Sequence, residues 1–284
     1  MSSNAPREPG CLYVVATPIG HRDDLSARAI ATLKRADRIA CEDTRHSAPL
    51  LASIGAAAPT VALHEHNEAQ AATKLVERMC AGEHIALISD AGTPLVSDPG
   101  YRLVQAAIAA GLRVVPIPGA SAPIAALSVS GLASDHFSFE GFLPTKSGAR
   151  REVFAALVDA TRTLIFFEAK HRIVDSLADA VSVFGGERRA AIGRELTKLH
   201  ETILRGTLAE LQARVDADPE QRLGEFVLMV AGAERTEVEA RRVTDAIVLA
   251  QRLATEMSAS RAAKLAAEIS GTSKNMLYRA LTDL

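Results

Sequence analysis

The chain has 284 residues, of which 48% are hydrophobic and 23% are charged, and its formal net charge at pH 7 is −2. These values exclude a disordered or fibrous protein and predict a soluble globular chain of two domains with a small third unit. The three cysteines, Cys11, Cys41 and Cys80, lack zinc-ribbon spacing and predict reduced thiols in a cytoplasmic protein. The first ten residues do not resemble a signal peptide, and proline and glycine interrupt the uncharged stretch 114–134, so we expect no membrane span.

In the first part of the chain, short apolar runs that predict strands end in loops rich in polar residues, proline and glycine. These predicted strands are 12–16, 38–41, 60–63, 84–88 and 113–117. Helical periodicity occupies segments between them, notably 25–33, 69–80 and 101–110. Strands that alternate with helices predict a mostly parallel sheet, and such sheets bind ligands at the carboxyl ends of their strands. The loops after these strands are therefore the first places to look for a site.

After residue 135 the pattern predicts a second α/β unit and then a helical tail. The predicted strands of the second unit are 137–142, 163–167, 189–194 and 225–230, and its predicted helices are 149–160, 172–184 and 208–217. From residue 241 onward only helical periodicity remains, in segments 246–257, 261–269 and 274–281. Gly271 and Thr272 separate the last two segments, which predicts a helix-turn-helix; a helical hairpin packed on the main body explains the spacing equally well.

Several familiar catalytic signatures are absent. No G-x-G-x-x-G follows a predicted strand, and segment 141–147 lacks the second glycine of a phosphate-binding loop, which disfavours a kinase or an ordinary dehydrogenase. Segment 119–123 resembles a nucleophile elbow but has proline where the second glycine should be, so a hydrolase is a poor second choice. His64 and His66 could share one face, yet no third ligand follows at metal-site spacing, and we expect polar contact with substrate instead.

Segment 89–100, SDAGTPLVSDPG, is the most informative stretch of the sequence. Two Asp, two Pro and two Gly between a predicted strand and a predicted helix indicate a rigid turn that a ligand can approach closely. Segment 118–123, PGASAP, is a second such loop, whose small side chains leave space beside exposed amides at a helix start. Residues 42–45 form a polar cluster that either belongs to the site or is a helix cap with an arginine partner.

Seven segments together carry a family resemblance. They are LYVVATPIG at 12–20, CEDTR at 41–45, HEHNE at 64–68, SDAGTPLVSDPG at 89–100, PGASA at 118–122, FEGFLP at 139–144 and FFEAKHR at 166–172. In this order they closely resemble the ribosomal RNA small subunit methyltransferase I family, a branch of the tetrapyrrole-methylase-like S-adenosylmethionine methyltransferases. The resemblance runs from residue 11 to about 235, and the tail is similar to the helix-turn-helix extension of some members.

The resemblance implies an α/β fold of two tetrapyrrole-methylase-like domains, 11–118 and 119–235, with a small all-α C-terminal extension at 240–284. It further implies a homodimer that holds S-adenosylmethionine in the cleft between the two domains. The implied reaction is 2′-O-methylation of a cytidine ribose in the decoding region of 16S rRNA, presented as rRNA or as the small ribosomal subunit. In such a displacement the protein mainly positions the reactants, and we expect no metal ion.

The resemblance also implies the site residues. The positions expected to contact the cofactor are Pro18, Asp90, Ala91, Gly92, Val96, Ser121, Ala122, Phe167, Met229 and Ala231. Because a ribose hydroxyl is a poor nucleophile until it loses its proton, the candidate bases are His66, Glu68 and Asp90. Lys146 is the candidate cation for the developing alkoxide.

Two other functions fit parts of the sequence: C-methylation of a small tetrapyrrole, and RNA binding by a non-enzymatic ribosome assembly factor. The chain has TPIG and AGTP where cobalamin-pathway relatives usually have a glycine-rich loop and Gly-Asp-Pro, which favours the rRNA branch. The dense loop motifs disfavour an assembly factor, which needs no cofactor pocket. Segments 146–205 and 240–284 each carry three more basic than acidic residues, so we expect the tail to hold RNA unless it merely covers an apolar surface.

Overall fold

The first half of the chain forms a five-stranded parallel sheet. The computed structural model describes residues 8–64, 66–169 and 171–282. Its first elements are β1 (Cys11–Val15), α1 (Ala27–Arg35), β2 (Arg38–Cys41), α2 (Thr44–Ser53), β3 (Thr60–Ala62), α3 (Glu68–Cys80), β4 (Ile85–Leu87), α4 (Tyr101–Ala109) and β5 (Arg113–Ile117). The strand order is β3-β2-β4-β1-β5, and all pairs are parallel. Because β1 and β4 are neighbours, the loops that follow them meet at one edge of the sheet.

Helices cover both faces of this sheet. On one face, Leu75 of α3 and Leu103 of α4 pack with Leu12 in a buried cluster. On the other face, Leu33 of α1 and Leu51 of α2 belong to a second buried cluster that includes strand residues. Burial of apolar side chains on both faces explains why the strands are short, nearly continuous apolar runs.

The second half forms a mixed five-stranded sheet. Its elements are α5 (Ala122–Ser130), β6 (Phe137–Phe142), α6 (Ser147–Leu157), β7 (Thr163–Ala169), α7 (Ile173–Phe184), β8 (Arg189–Arg194), β9 (Thr202–Thr207), α8 (Leu208–Ala217) and β10 (Glu225–Val230). The strand order is β6-β7-β10-β8-β9, with β6 parallel to β7 and the other pairs antiparallel. Helices α6, α7 and α8 pack on one face, and α5 packs on the other.

Three helices complete the chain: α9 (Arg235–Ala254), α10 (Ala259–Ser270) and α11 (Lys274–Thr282). They enclose a small core of Ala246, Ala250, Ala263, Ala266 and Leu277. Gly271, at a φ of +68°, ends α10 in the left-handed conformation and turns the chain into α11. None of the helices in the described ranges combines the length and hydropathy that a membrane span requires.

The predicted fold class, α/β with a small helical extension, is confirmed, and every predicted strand is present within two residues of its expected limits. The helix-cap alternative for residues 42–45 is confirmed: at the start of α2, Asp43 accepts a hydrogen bond from the Arg45 N–H at 2.8 Å and also pairs with the Arg45 guanidinium. Strand β9 was not predicted, because it is a half-buried edge strand with little apolar alternation. Helix α9 begins eleven residues before the expected 246.

A buried ion pair fixes the start of α6. The side chain of Arg150 is 2% exposed, and its Nη2 lies 2.5 Å from Oδ2 of Asp179 on α7. The Arg150 Nη1 also donates to the Pro144 carbonyl at 3.2 Å, and the Ser147 hydroxyl donates to Asp179 at 2.9 Å. One guanidinium therefore joins α6, α7 and the loop between β6 and α6.

We expect Arg150→Met to lower the free energy of unfolding by about 3 kcal/mol, because the carboxylate of Asp179, only 13% exposed, loses its cation. Urea unfolding measures the change. The neighbouring Arg151 is exposed, and Arg151→Met, the matched control, should stay within about 0.5 kcal/mol of the wild type. Equal stabilities of the two variants would contradict the role assigned to the pair.

Candidate functional site

A cavity of about 640 Å³ lies between the two halves of the chain and is lined by both. The first half contributes loops that follow β1, β4 and β5, so the carboxyl ends of three parallel strands face the cavity. The second half contributes residues from β6, β7, β8 and β10 and from the loops beside them. A volume of this size accommodates a small-molecule ligand.

Two reciprocal backbone hydrogen bonds join the loops after β1 and β4. The Thr17 N–H donates to the Gly92 carbonyl at 2.8 Å, and the Gly92 N–H donates to the Thr17 carbonyl at 3.1 Å. Gly92 has a φ of +78°, and a Cβ there would lie 3.2 Å from Cγ2 of Ile19, which lines the cavity. Position 92 therefore needs glycine for its backbone conformation and for the close approach of the two loops.

Segment 89–100 is a loop whose backbone is strained. Leu95 has a φ of 72° and Ser97 a φ of 65°, in the region that side chains with a Cβ rarely adopt. At the far end of the loop, the buried carboxylate of Glu68 accepts hydrogen bonds from the Gly100 N–H at 2.9 Å and the Arg102 N–H at 2.7 Å. Glu68, expected as a base, thus anchors the loop at the start of α4 and lies outside the cavity lining.

Two carboxyl groups from this loop, Asp90 and Asp98, line the cavity. Burial raises the pKa of Asp98 to about 6; the hydrogen bond from Ser89 opposes the rise, and the charges of Glu42 and Asp90 add to it. Oδ1 of Asp90 accepts a hydrogen bond from the Asp43 N–H at 3.2 Å, which holds the start of α2 beside the cavity. Sequence reasoning did not select Asp98, although its loop was identified, because only the tertiary structure shows its desolvation.

The direction of β10 decides which of its residues reach the cavity. Because β10 runs antiparallel to β7 and β8, its first residues lie beside the last residues of those strands, and 224–227 line the cavity. Met229, expected to contact the cofactor, is fully buried in the core beneath α5. Ala231 lies beyond the opposite end of β10 and bonds to the Arg189 carbonyl. The structure therefore places neither residue in the cavity wall.

The two halves also touch directly beside the cavity. The His21 N–H donates to Oγ1 of Thr197 at 3.0 Å, and a Cβ on Gly20 would lie 2.5 Å from Cγ of Lys198. Lys198 bridges two carboxylates of the cavity wall, at 3.0 Å from Glu195 and 2.8 Å from Glu225. Burial raises the pKa of Glu195, but the hydrogen bond from the Glu225 N–H and the hydrogen bond and positive charge of Lys198 lower it by more. The pKa of Glu195 is therefore below its ordinary value.

Comparison with known proteins shows a family. The Tetrapyrrole (Corrin/Porphyrin) Methylases profile matches residues 11–212, and the RsmI C-terminal HTH domain profile matches residues 242–284. The relative from Xylella fastidiosa called ribosomal RNA small subunit methyltransferase I is 52% identical over 95% of this chain and 98% of that relative. A relative of the same name from Pseudomonas aeruginosa is 51% identical, over 95% of this chain and 96% of its own. The chain belongs to the ribosomal RNA small subunit methyltransferase I family.

Solved structures agree with this membership at the level of the fold. The uroporphyrin-III-C-methyltransferase from Thermus thermophilus superposes with a TM-score of 0.54 at 19% identity, covering 78% of this chain and 94% of its own. The methyltransferase CobJ superposes with a TM-score of 0.58 at 20% identity, covering 79% of this chain and 95% of its own. The two α/β halves therefore have the tetrapyrrole-methylase fold that the seven motifs implied.

The structure brings together most of the residues that the family motifs implied for the cofactor. Seven of them line the cavity: Asp90, Ala91, Gly92, Val96, Ser121, Ala122 and Phe167. Pro18 precedes the lining residue Ile19 without lining the cavity itself. His66, after β3, and Lys146, before α6, are exposed and also lie outside the lining. Within the described ranges, no group of three or more His, Cys, Asp or Glu residues is arranged to hold a metal ion.

Ionisation of Asp98 should make the stability of the folded protein depend on pH. Its folded-state pKa of about 6 exceeds its ordinary value of 3.8, so the folded protein binds this proton more tightly than the unfolded chain does. The contribution of Asp98 to stability therefore falls as the pH rises through this interval. We expect Asp98→Asn to melt at a higher temperature than the wild type at about pH 7.5, with a gap that closes toward about pH 4.

Thermal unfolding across a pH series measures this gap, and Asp135→Asn, at an exposed position, is the control. A gap that does not change with pH would show that the carboxyl of Asp98 is not responsible for it.

Proposed function

We propose that this chain transfers a methyl group from S-adenosylmethionine to the 2′-oxygen of a cytidine ribose in the decoding region of 16S rRNA. The observation that carries the proposal is the alignment of nearly the whole chain with relatives called ribosomal RNA small subunit methyltransferase I. The cavity, lined by the family motifs of both halves, supports it.

The cavity fits S-adenosylmethionine in size and in the chemistry of its walls. Apolar side chains such as Ile19, Phe167 and Val227 line much of it and suit an adenine ring. At the start of α5, the Ser121 side chain makes no capping hydrogen bond, so backbone N–H groups of the first turn remain for a carboxylate. Gly92 lets the backbone approach a ligand closely. When bound, S-adenosylmethionine supplies an electrophilic methyl group on a positively charged sulfur.

The ribose hydroxyl also loses a proton in this reaction, and carboxylates of this chain are placed to accept it. Asp98 and Asp90 both line the cavity, and at neutral pH a carboxyl with a pKa of about 6 is largely ionised and more basic than an ordinary aspartate. We assign proton acceptance to this pair, with His66 as the alternative from the loop after β3. In this proposal Glu68 holds the loop that carries Asp98. Lys146, which is exposed and lies outside the cavity lining, is a cation for the RNA rather than for the developing alkoxide.

The proposal includes a homodimer that acts in the cytoplasm on 16S rRNA or the small ribosomal subunit. Light scattering coupled to gel filtration measures the dimer. To test the activity, small subunits from a strain without this gene are incubated with the protein and S-adenosylmethionine, and ribose methylation of 16S rRNA is mapped. Failure of the folded protein to methylate 16S rRNA would overturn the proposal, and methylation of a tetrapyrrole instead would support the rival function.

We expect the protein to bind S-adenosylmethionine in calorimetry with a chelator present, and Gly92→Val to weaken that binding at least about tenfold. The valine side chain would enter the 3.2 Å space next to Ile19 and would strain a backbone at positive φ. Gly111→Val is the matched control, because Gly111 has a φ of +70° but no atom within 4 Å of its would-be Cβ. Equal affinities of the two variants would remove position 92 from the cofactor site.

Exposed basic side chains of the tail should contribute to RNA binding. Lys274 and Arg279 are exposed on α11, whereas Leu277 between them is fully buried in the tail's core. We expect Lys274→Glu with Arg279→Glu to weaken RNA binding and to reduce the slope of log affinity against log salt by about two, because phosphate contacts release counterions. The cofactor affinity should not change.

Substitution of Lys34 and Arg35, exposed on α1, by glutamate is the control for net charge. If both double variants show the same loss of RNA affinity and the same reduction in the slope of log affinity against log salt, the tail has no special contact with RNA. Charge substitutions are preferable to removal of the tail after residue 239, because that cut falls inside α9.

A further inference from the structure

Phe142 is a large aromatic side chain exposed at the mouth of the cavity. It lines the cavity and is nevertheless 57% exposed. Other large apolar side chains of the described residues are also exposed, but Phe142 is the only one of them that lines the cavity. Phe142 is neither one of the residues proposed to bind the cofactor nor one of those proposed to accept the proton.

An irregularity in β6 places the ring on the cavity side. Phe139 pairs with Ile165 and Phe142 pairs with Phe167. Between these two pairs β6 therefore has one more residue than β7. In a regular strand, Phe139 and Phe142 would point to opposite faces. The extra residue is a bulge, and Gly141 within it has a φ of +75°. The bulge turns Phe142 to the same side as Phe139.

The bulge produces a small aromatic cluster with one open ring. Phe139 and Phe142 both contact Phe167, with ring centroids 4.8 Å and 5.2 Å from the centroid of Phe167. Phe139 and Phe167 are half-buried and pack against the core beneath α5. Phe142 is therefore supported from behind by Phe167, and its remaining surface is open to solvent at the cavity mouth. A supported ring with an open face is the geometry on which an unstacked nucleobase binds.

Positive charge lies next to this ring along the chain. Lys146 and Arg151, before and within the first turns of α6, are exposed and make no ion pair within the described ranges. Arg150 between them is buried and fixes this end of α6 through Asp179. Along the chain, the exposed ring of Phe142 is therefore followed by two exposed basic side chains, a combination that complements a base and its neighbouring phosphates.

We propose that Phe142 stacks on the base of the target nucleotide and holds it, turned out of the RNA, at the cavity mouth while its ribose reaches the carboxylates of the 89–100 loop. This inference rests on the proposed function. The cofactor's adenine is the less suitable occupant, because the half-buried Phe167 lies deeper, whereas Phe142 is the most solvent-exposed of the three rings.

The test compares Phe142→Ala, Phe142→Leu and Phe142→Trp with the wild type. Small ribosomal subunits that lack the methyl group are the substrate, kcat/KM is measured, and the affinity for S-adenosylmethionine is measured by calorimetry. We expect Phe142→Ala to lower kcat/KM roughly 5- to 150-fold, the range for loss of one base-stacking contact. Phe142→Leu should lose nearly as much because it has no ring face, and Phe142→Trp should restore activity to within a few-fold. Affinity for S-adenosylmethionine should be unchanged in all three.

Phe137→Ala is the matched control, because Phe137 is 41% exposed at the other end of β6 and does not line the cavity. Its kcat/KM should equal that of the wild type. Melting temperatures and light scattering confirm that each variant folds and keeps its oligomeric state.

Four results would overturn the proposal. Two are an unchanged kcat/KM in Phe142→Ala and full activity in Phe142→Leu. The third is a loss of affinity for S-adenosylmethionine in Phe142→Ala as large as its loss of kcat/KM. The fourth is a changed oligomeric state, which would make the ring a contact between copies of the chain. Failure of the proposed function itself is seen separately, because the wild type would then not methylate the subunits.

Discussion

The reciprocal hydrogen bonds between Thr17 and Gly92 are the contact on which the candidate site depends. They join two loops of irregular backbone at the edge of a parallel sheet, where strand pairing has ended and each buried N–H and C=O needs another partner. Glu68 supplies acceptors at the far end of the second loop. The 89–100 segment is therefore held at both ends, which allows the strained conformations of Leu95 and Ser97 between them to persist.

The two sheets present the cavity with different kinds of edge. In the parallel sheet every loop that lines the cavity follows the carboxyl end of a strand. The reason is that helical connections make all the strands run in the same direction. In the mixed sheet, β7 and β8 contribute their ends, whereas the antiparallel β10 contributes its beginning. Gly193 and Val227 thus become neighbours in the wall although they come from strands of opposite direction. The bulge in β6 adds an aromatic side chain that regular alternation would have turned away.

Charge is distributed unevenly around this cavity. Asp90 and Asp98 lie on the inside, where burial and the charges of Glu42 and Asp90 disfavour the ionised form of Asp98. The basic side chains of Lys146 and Arg151, which make no ion pair with any described residue, are exposed on the outside, close in sequence to Phe142 at the mouth. An acidic interior suits a positively charged donor and a departing proton, and a basic rim suits a polyanion. The two surfaces together are the physical basis for assigning small-molecule and RNA binding to one cavity.

The sequence alone determined the order of strands and helices, because short apolar runs, helical periodicity and glycine or proline turns are local signals. It also determined the family, because the seven motifs occur in order, and it identified the 89–100 loop. It did not reveal the edge strand β9, whose apolar alternation is weak, and it did not identify which end of β10 reaches the cavity. Met229 lies toward the other end of β10 and is buried in the core, and its contact with the cofactor stays a prediction. The direction of a strand is a property of the sheet, which local signals do not contain.

Only the tertiary structure decided the roles of individual polar and aromatic side chains. Glu68 and Asp98 are both carboxylates in family motifs, but one accepts two backbone N–H bonds at a helix start and the other is desolvated in the cavity wall. Phe139 and Phe142 share a face because one additional residue in β6 has no partner in β7. Burial, hydrogen-bond partners and strand register depend on residues that are distant in the sequence, and a pattern of neighbouring residues contains no information about them.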